Sequence, residues 1–188
     1  MNEVQLRVLI DANVFVNALA LDFILRYSEQ SSELVPLYSS EIEDEVRNVL
    51  GSRLKNPWEP THIDGFFEAI ESTFPNAKVA GYDHLINSCH VPESDRHVLA
   101  AARHGEATHL ATFNLKDFPA ASLSPFNVEP VHPDKLITLL CGREAQLCRS
   151  ILLAMAERRR IDLFTLAARL ARHLPQTAEF ARLLSDPD

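Results

Sequence analysis

Four acidic residues occupy positions from which their carboxylates could meet in one site: Asp11, Glu45, Asp95 and Asp117. Asp11 directly follows a short apolar segment, where a charged side chain is costly unless it has a partner or a function. Carboxylates that converge without a cation repel one another and raise at least one pKa, so a site that keeps them ionised needs a metal ion. Hard oxygen ligands favour Mg²⁺ or Mn²⁺, which polarise phosphates and activate water.

Each acid also has an ordinary structural interpretation. Asp95 could simply stabilise a helix N-terminus through the helix dipole, and Asp117 could be a turn former. Glu45 could be a solvated helix residue, because acids surround it in the sequence. Those neighbours are Glu41, Glu43 and Asp44.

Strands that alternate with helices must position these acids. Short apolar segments predict strands at residues 4–10, 34–38, 108–113 and 127–131. Helices are predicted over residues 12–26 and from Ser40, Thr61 and Asp95. This alternation is typical of a parallel sheet covered by helices on both faces, where ligands bind outside the carboxyl ends of the strands. We therefore expect the four acids to meet at that edge.

Local signals predict where two of these helices begin. Ser40 and Glu43 have the spacing of a capping box, so a helix should start there and carry Glu45 in its second turn. Ser94 is the predicted N-cap of a later helix, with Asp95 as its first residue, and Gly105 is placed to end it.

The pattern changes at His132, after which only helices are predicted, over residues 134–141, 144–159, 163–174 and 177–184. We therefore divide the chain into an α/β domain of residues 1–131 and a C-terminal helical extension of residues 132–188. The extension contains the most basic stretch of the sequence, whose cations could contact RNA phosphates or could form a solvated face. Its candidates for RNA binding are Arg158, Arg159 and Arg160, with Arg169, Arg172 and His173 further along.

Composition fits an ordinary globular domain: 188 residues, of which 46% are hydrophobic and 23% charged. The net charge of −8 argues against a nucleic-acid binder, which is usually basic. This argument against nucleic-acid binding is weaker if several acids hold metal ions, or if the protein works beside a basic partner. No apolar run is long enough to cross a membrane, and the start of the chain lacks secretion features, so a cytoplasmic location is expected. The three cysteines are expected to be buried free thiols.

Several sequence segments resemble PIN-domain proteins, and more narrowly the VapC-type toxin ribonucleases of bacterial toxin–antitoxin pairs. The segments are VLIDANVFVNAL, SSEIEDEVRNVL, ESDRHVLAAARHGEATHLATFNLKDFP and VHPDKLITLL, in the family's order. The resemblance implies a PIN-like three-layer α/β/α fold with a central parallel sheet. It also implies endonucleolytic cleavage of RNA with Mg²⁺ or Mn²⁺ as cofactor.

The resemblance carries the family's acidic positions over to Asp11, Glu45 and Asp95. The fourth position is Asp117, or else it is replaced by Asn114, since some relatives have an aspartate there. All four acids are candidate catalytic residues, and Asp11, Asp95 and Asp117 are the candidate metal ligands.

Supporting roles are predicted for Asn13, Thr112 and Asn114, which could hydrogen-bond to a carboxylate or a ligand. His97 and His109 are expected to be structural or surface residues. The resemblance also implies a small antitoxin partner with a basic peptide arm, which would suit an acidic toxin surface. A homodimer is expected from the same resemblance.

Two rival functions can be weighed on the sequence. A phosphatase that forms an aspartyl phosphate would need a second aspartate two residues after Asp11, and Asn13 stands there instead. A non-catalytic PIN-like module that only binds RNA or protein is the alternative hypothesis. The acids at all four candidate positions argue against it.

Overall fold

Within residues 5–52 and 56–184, which the computed structural model describes, five parallel strands form one sheet in the order β3-β2-β1-β4-β5. The strands are β1 (Leu6–Ile10), β2 (Leu34–Ser39), β3 (Lys78–Val79), β4 (His109–Ala111) and β5 (Glu129–Val131). β1 lies at the centre, with Leu6 beside Leu34 of β2 and Ile10 beside Ala111 of β4. The predicted parallel sheet is confirmed.

The central strand is apolar because both faces of the sheet are covered. Val8, Leu9 and Ile10 are almost completely buried, and a parallel strand buried on both faces reads as a continuous hydrophobic run. The four predicted strands are present; three have shorter bounds, and β2 extends one residue further than predicted, to Ser39. β3 was missed, because two residues that pair only with Tyr38 and Ser39 give no periodic signal.

Seven helices connect the strands in the described part of the chain: α1 (Ala12–Phe15), α2 (Ala18–Gln30), α3 (Ser40–Gly51), α4 (Pro60–Thr73), α5 (Asp83–Ile86), α6 (Arg96–His104) and α7 (Ala120–Leu123). The single helix predicted over residues 12–26 is wrong, since it is divided into α1 and α2. Asn17 makes the break: its backbone is extended, and its side chain accepts a hydrogen bond from the Ala20 N–H at 3.1 Å as the N-cap of α2.

Both predicted helix starts are displaced by one residue. Ser39, and not Ser40, caps α3 by accepting from the Ile42 N–H at 3.3 Å. Glu43 does not complete a capping box, because its carboxylate is paired with Arg47 and Lys78. Asp95 ends a 3₁₀ turn (Glu93–Asp95) and is the N-cap of α6 rather than its first residue. Gly105 ends α6 as predicted.

The described chain after β5 contains helices only, as predicted: α8 (Pro133–Arg143), α9 (Ala145–Arg158), α10 (Leu163–Leu170) and α11 (Pro175–Leu183). α9 packs against α2, and α11 packs against α8 and α10. Cys89, Cys141 and Cys148 are buried free thiols, as expected. No helix of the described residues is long and apolar enough to cross a membrane. The division at residue 131 stays a prediction.

Candidate active site

Asp11 lies at the carboxyl end of the central strand. Ile10 pairs with Ala111, so the residues that follow these two, Asp11 and Thr112, leave the sheet side by side. The Asp11 N–H donates to the Ala111 carbonyl at 3.0 Å and continues the pairing by one residue. The side chain of Asp11 is only 7% exposed, because α1 begins at the next residue and covers it.

A closed hydrogen-bond network holds the Asp11 carboxylate. Asp11 Oδ2 accepts from Asn13 Nδ2 at 2.6 Å and from Thr112 Oγ1 at 2.7 Å. Asn13 Nδ2 also donates to Thr112 Oγ1 at 2.9 Å, and Asn13 Oδ1 accepts from the Phe113 N–H at 3.0 Å. Asn13 and Thr112 therefore contact the carboxylate that they were predicted to support, and the network fixes one of its oxygens.

The environment of Asp11 makes its charge costly. Burial raises its pKa to about 6 from an ordinary value of 3.8, although the Thr112 hydroxyl and the Ala12 N–H act in the opposite direction. The negative charges of Glu45 and Asp95 raise this pKa further. A carboxylate that is buried beside other carboxylates is the arrangement that a bound cation would stabilise.

Glu45 is the acid of α3 that faces this group. Its Oε1 accepts a hydrogen bond from His97 Nε2 at 3.0 Å, and the side chains are 45% and 15% exposed respectively. Burial disfavours the charged His97 ring, but the hydrogen bond to Glu45 and the charges of Glu41 and Asp11 outweigh it and raise the His97 pKa. His97 thus has a polar partner in the site, which its isolated position in the sequence did not indicate.

The acidic neighbours of Glu45 have other partners. Glu41 accepts hydrogen bonds from the Tyr82 and Ser40 hydroxyls, and Glu43 is paired with basic residues as described above. Asp44 is exposed on the far side of the helix. The structure therefore separates four acids that the sequence left equivalent.

Asp95 and Asp117 are the two remaining predicted acids. Burial raises the pKa of Asp95, and the charges of Asp117 and Glu45 add to this, while the Ser94 hydroxyl and His97 lower it. Asp117 ends a 3₁₀ turn (Leu115–Asp117) after β4, and its carboxylate accepts a hydrogen bond from Asn114 Nδ2. Asp117 and Asn114 are thus direct partners.

Asp11 interacts electrostatically with Glu45 and Asp95, and Asp95 interacts with Glu45 and Asp117. We call these four predicted acids the acidic cluster: Asp11, Glu45, Asp95 and Asp117. Within the described residues, no three His, Cys, Asp or Glu side chains are gathered closely enough to hold a metal ion as they stand. The atoms of the cluster that could bind a metal ion are all carboxylate oxygens, the ligand type that Mg²⁺ and Mn²⁺ prefer.

The predicted RNA-binding arginines lie at the end of α9. Arg159 Nη1 pairs with Asp22 Oδ2 of α2 at 2.8 Å. Arg158 is exposed and lines a cavity of about 280 Å³ beside Trp58. Arg160 is exposed in a left-handed turn. No described hydrogen bond or ion pair joins these three residues to the acidic cluster.

Comparison with known proteins places the chain in a family. It is 30% identical over 135 residues to a Mycobacterium tuberculosis (strain H37Rv) protein assigned as the ribonuclease VapC50, and the match covers 70% of this chain and 77% of that protein. The chain belongs to the VapC family of PIN-domain proteins. No protein-family model and no solved structure gave a significant match.

Membership in the VapC family confirms the resemblance that the motifs indicated, and the parallel α/β sheet is the PIN-like fold expected with it. Two residues make polar contacts that the sequence did not indicate. His97 was expected to be structural or at the surface, yet it contacts Glu45. Asp134, which was not singled out, is 2% exposed and binds the start of α11, as developed below.

Proposed function

We propose that this VapC-family protein is a Mg²⁺- or Mn²⁺-dependent endoribonuclease and the toxin of a toxin–antitoxin pair. The proposal rests on the acidic cluster, whose members come from four separate segments of the chain; two of them, Asp11 and Asp117, follow the carboxyl ends of β1 and β4. Asp11 and Asp95 have raised pKa values there, in part because the other carboxylates of the cluster repel their charge. Such a cluster, in a chain of this family, suits phosphoryl chemistry.

The metal would be held by Asp11, Asp95 and Asp117. A bound Mg²⁺ or Mn²⁺ supplies Lewis acidity, which polarises a phosphate and lowers the pKa of water. Because Asn13 and Thr112 both donate to Oδ2 of Asp11, they orient the carboxylate that would bind the metal.

Glu45 is proposed as a catalytic carboxylate whose position His97 controls. The 3.0 Å hydrogen bond from His97 Nε2 fixes Glu45 Oε1 at the rim of the cluster. His97 belongs to α6, directly after the N-cap Asp95. One helix start therefore places Asp95 itself and orients Glu45 from α3.

The family also suggests the partners. RNA is the proposed substrate, because the M. tuberculosis relative carries the name of a ribonuclease. A cognate antitoxin with a basic arm is the proposed inhibitor, since a chain with a net charge of −8 attracts basic segments. The homodimer stays a prediction.

The test is cleavage of RNA by the purified protein with Mg²⁺ or Mn²⁺, and with EDTA. We expect endonucleolytic products that EDTA abolishes and that Asp11→Asn reduces at least about 100-fold, because an oriented ligand of the metal is lost. Asp44→Asn is the matched control, since it removes an exposed acid of α3 that lies outside the cluster.

Cleavage that persists in EDTA, or in a verified pure Asp11→Asn preparation, would contradict the proposal. RNA binding without any cleavage under these conditions would instead favour the non-catalytic PIN-like module. Sequencing the ends of the products would identify the cleavage site.

A further inference from the structure

A second cavity, of about 580 Å³, adjoins the hydrogen-bond network of Asp11. It is lined by Asn13, Val16, Asn17, Phe113, His132, Arg172 and His173. Asn13 donates to Asp11 Oδ2, and the Phe113 N–H donates to Asn13 Oδ1, so one wall of the cavity is part of the network that orients the catalytic carboxylate. The remaining lining comes from the break between α1 and α2, from the start of α8 and from the segment between α10 and α11.

The lining has the chemistry of an anion site. Its possible anion donors are one arginine, two histidines and the amide of Asn17, since the Asn13 amide already donates to Asp11 and Thr112. No carboxylate is among the lining residues of the described chain. Arg172 is exposed and makes no ion pair with any acid of the described residues. In a protein with a net charge of −8, a cavity of this kind next to the acidic cluster calls for a negatively charged ligand.

The structure holds this cavity in shape. Asp134 of α8 accepts hydrogen bonds from the Gln176 N–H at 2.9 Å, and from the N–H and hydroxyl of Thr177 at 2.9 and 2.7 Å. The start of α11, just after His173, is therefore fixed to the start of α8, next to His132. The segment that carries Arg172 and His173 is held beside the active-site loop and is not a loose surface turn.

The aromatic residues are fixed as well. His132 Nδ1 accepts from the Asp134 N–H at 3.2 Å, so the neutral ring carries its proton on Nε2 and keeps a donor. The Phe113 ring packs edge-to-face with the rings of His132 and His173, with centroids 5.0 and 6.0 Å apart. Phe113 thus joins the β4 loop of the active site to both histidines.

We propose that this cavity binds a backbone phosphate of single-stranded RNA beside the phosphate that is cleaved, with Arg172 and His173 as its contacts. The inference rests on the proposed function, because RNA is the ligand. A polyanionic strand that crosses a carboxylate cluster is repelled by it, so cations next to the cluster are needed to hold the strand in position. Phosphate contacts of this kind position the strand without reading its sequence.

The test measures RNA binding apart from cleavage. Short fluorescent single-stranded RNAs of different sequence are titrated with the Asp11→Asn protein at several salt concentrations. Adding Arg172→Ala should weaken the Kd about 5-fold or more for every sequence, and should reduce the slope of log Kd against log salt by about 1. Arg172→Lys should recover part of the affinity, because a charge that contacts phosphate is retained.

Arg149→Ala is the matched control, since Arg149 is an exposed arginine of α9 that does not line the cavity. It should leave both the Kd and the salt slope unchanged. If Arg172→Ala and Arg149→Ala behave alike, or if the protein binds no RNA, the subsite is wrong. Binding that depends on Arg172 in a protein whose wild type cleaves no RNA would support the subsite and overturn the proposed ribonuclease activity.

Discussion

At the scale of single residues, the buried Asp11 makes the stability of the folded protein depend on pH. Its pKa is about 6 in the folded protein and near 3.8 when exposed, so the folded state binds a proton more tightly than the unfolded state does. The stabilisation that this proton gives is complete below about pH 4 and is lost as the pH rises through 6. At neutral pH without metal, the ionised Asp11 therefore destabilises the fold.

Asp11→Asn should consequently stabilise the protein while it abolishes cleavage. Asparagine removes the charge and keeps an oxygen that can accept from Thr112 and Asn13. A pKa difference of this size corresponds to about 2–3 kcal/mol. Urea unfolding in EDTA should show the gain at pH 8, and the gain should shrink as the pH approaches 4. A gain that does not change with pH, or a loss of stability at pH 8, would contradict this account of Asp11, and Asp44→Asn should show no comparable effect.

His97 and Glu45 should act as one unit in catalysis. Glu45→Ala should reduce kcat about 100-fold, and His97→Ala about 10-fold, since a positioned carboxylate contributes on this scale. If His97 works only by orienting Glu45, adding His97→Ala to Glu45→Ala should have no further effect. Single-turnover rates for the four proteins of this cycle measure the coupling. Losses that multiply in the double variant would show that His97 acts independently, whereas partial rescue by His97→Gln supports the positioning role.

At the scale of elements, the sequence could predict what local periodicity determines. The apolar runs of β1 and β2 predict buried strands because both faces of a parallel sheet are covered by helices. The apolar stripe of α3 contains Ile42 and Val46. Asp44 lies on the opposite face of the helix and is exposed, whereas Glu45 lies at the edge of the stripe. Periodicity cannot separate Glu45 from Glu41, which lies four residues earlier on the same face. Contacts from distant segments, His97 for Glu45 and Tyr82 for Glu41, make that distinction.

Caps were harder to predict than strands. Neighbouring serines such as Ser39 and Ser40 are equivalent in propensity, and the strand register decides which of them leaves the sheet as the N-cap. Asp134 has no local signal at all, because its partners Gln176 and Thr177 lie 42 and 43 residues further along the chain. This long-range cap joins two helices that the sequence presents as separate.

Asp134→Ala should therefore destabilise the protein by about 2–3 kcal/mol. The change removes the cap of α11 and leaves the buried Thr177 hydroxyl without its acceptor. Asp134→Asn should cost less, because one acceptor oxygen remains. Urea unfolding with an unchanged m-value checks both variants. A loss below about 0.5 kcal/mol for Asp134→Ala would show that the cap does not hold α11 in place.

At the scale of the whole molecule, polar contacts tie the helices after β5 to the sheet domain. Glu144 accepts from the Tyr27 hydroxyl at 2.6 Å and from the Ser31 hydroxyl at 2.5 Å. Arg143 pairs with Glu33 at 2.8 Å, and Arg159 pairs with Asp22 of α2. Tyr27 and Asp22 belong to α2, and Ser31 and Glu33 follow its end. Together with the packing of α9 against α2, these contacts join the predicted extension to residues 1–131.

A chain that ends at Val131 should therefore fail to fold cooperatively. Removing the extension would expose the part of α2 that packs against α8 and α9, and would leave the buried Tyr27 without Glu144, which accepts from its hydroxyl. We expect residues 1–131 to show no cooperative thermal transition and to bind a hydrophobic dye, while the full chain unfolds in one transition. A single sharp transition in the truncated chain would instead establish residues 1–131 as an independent domain.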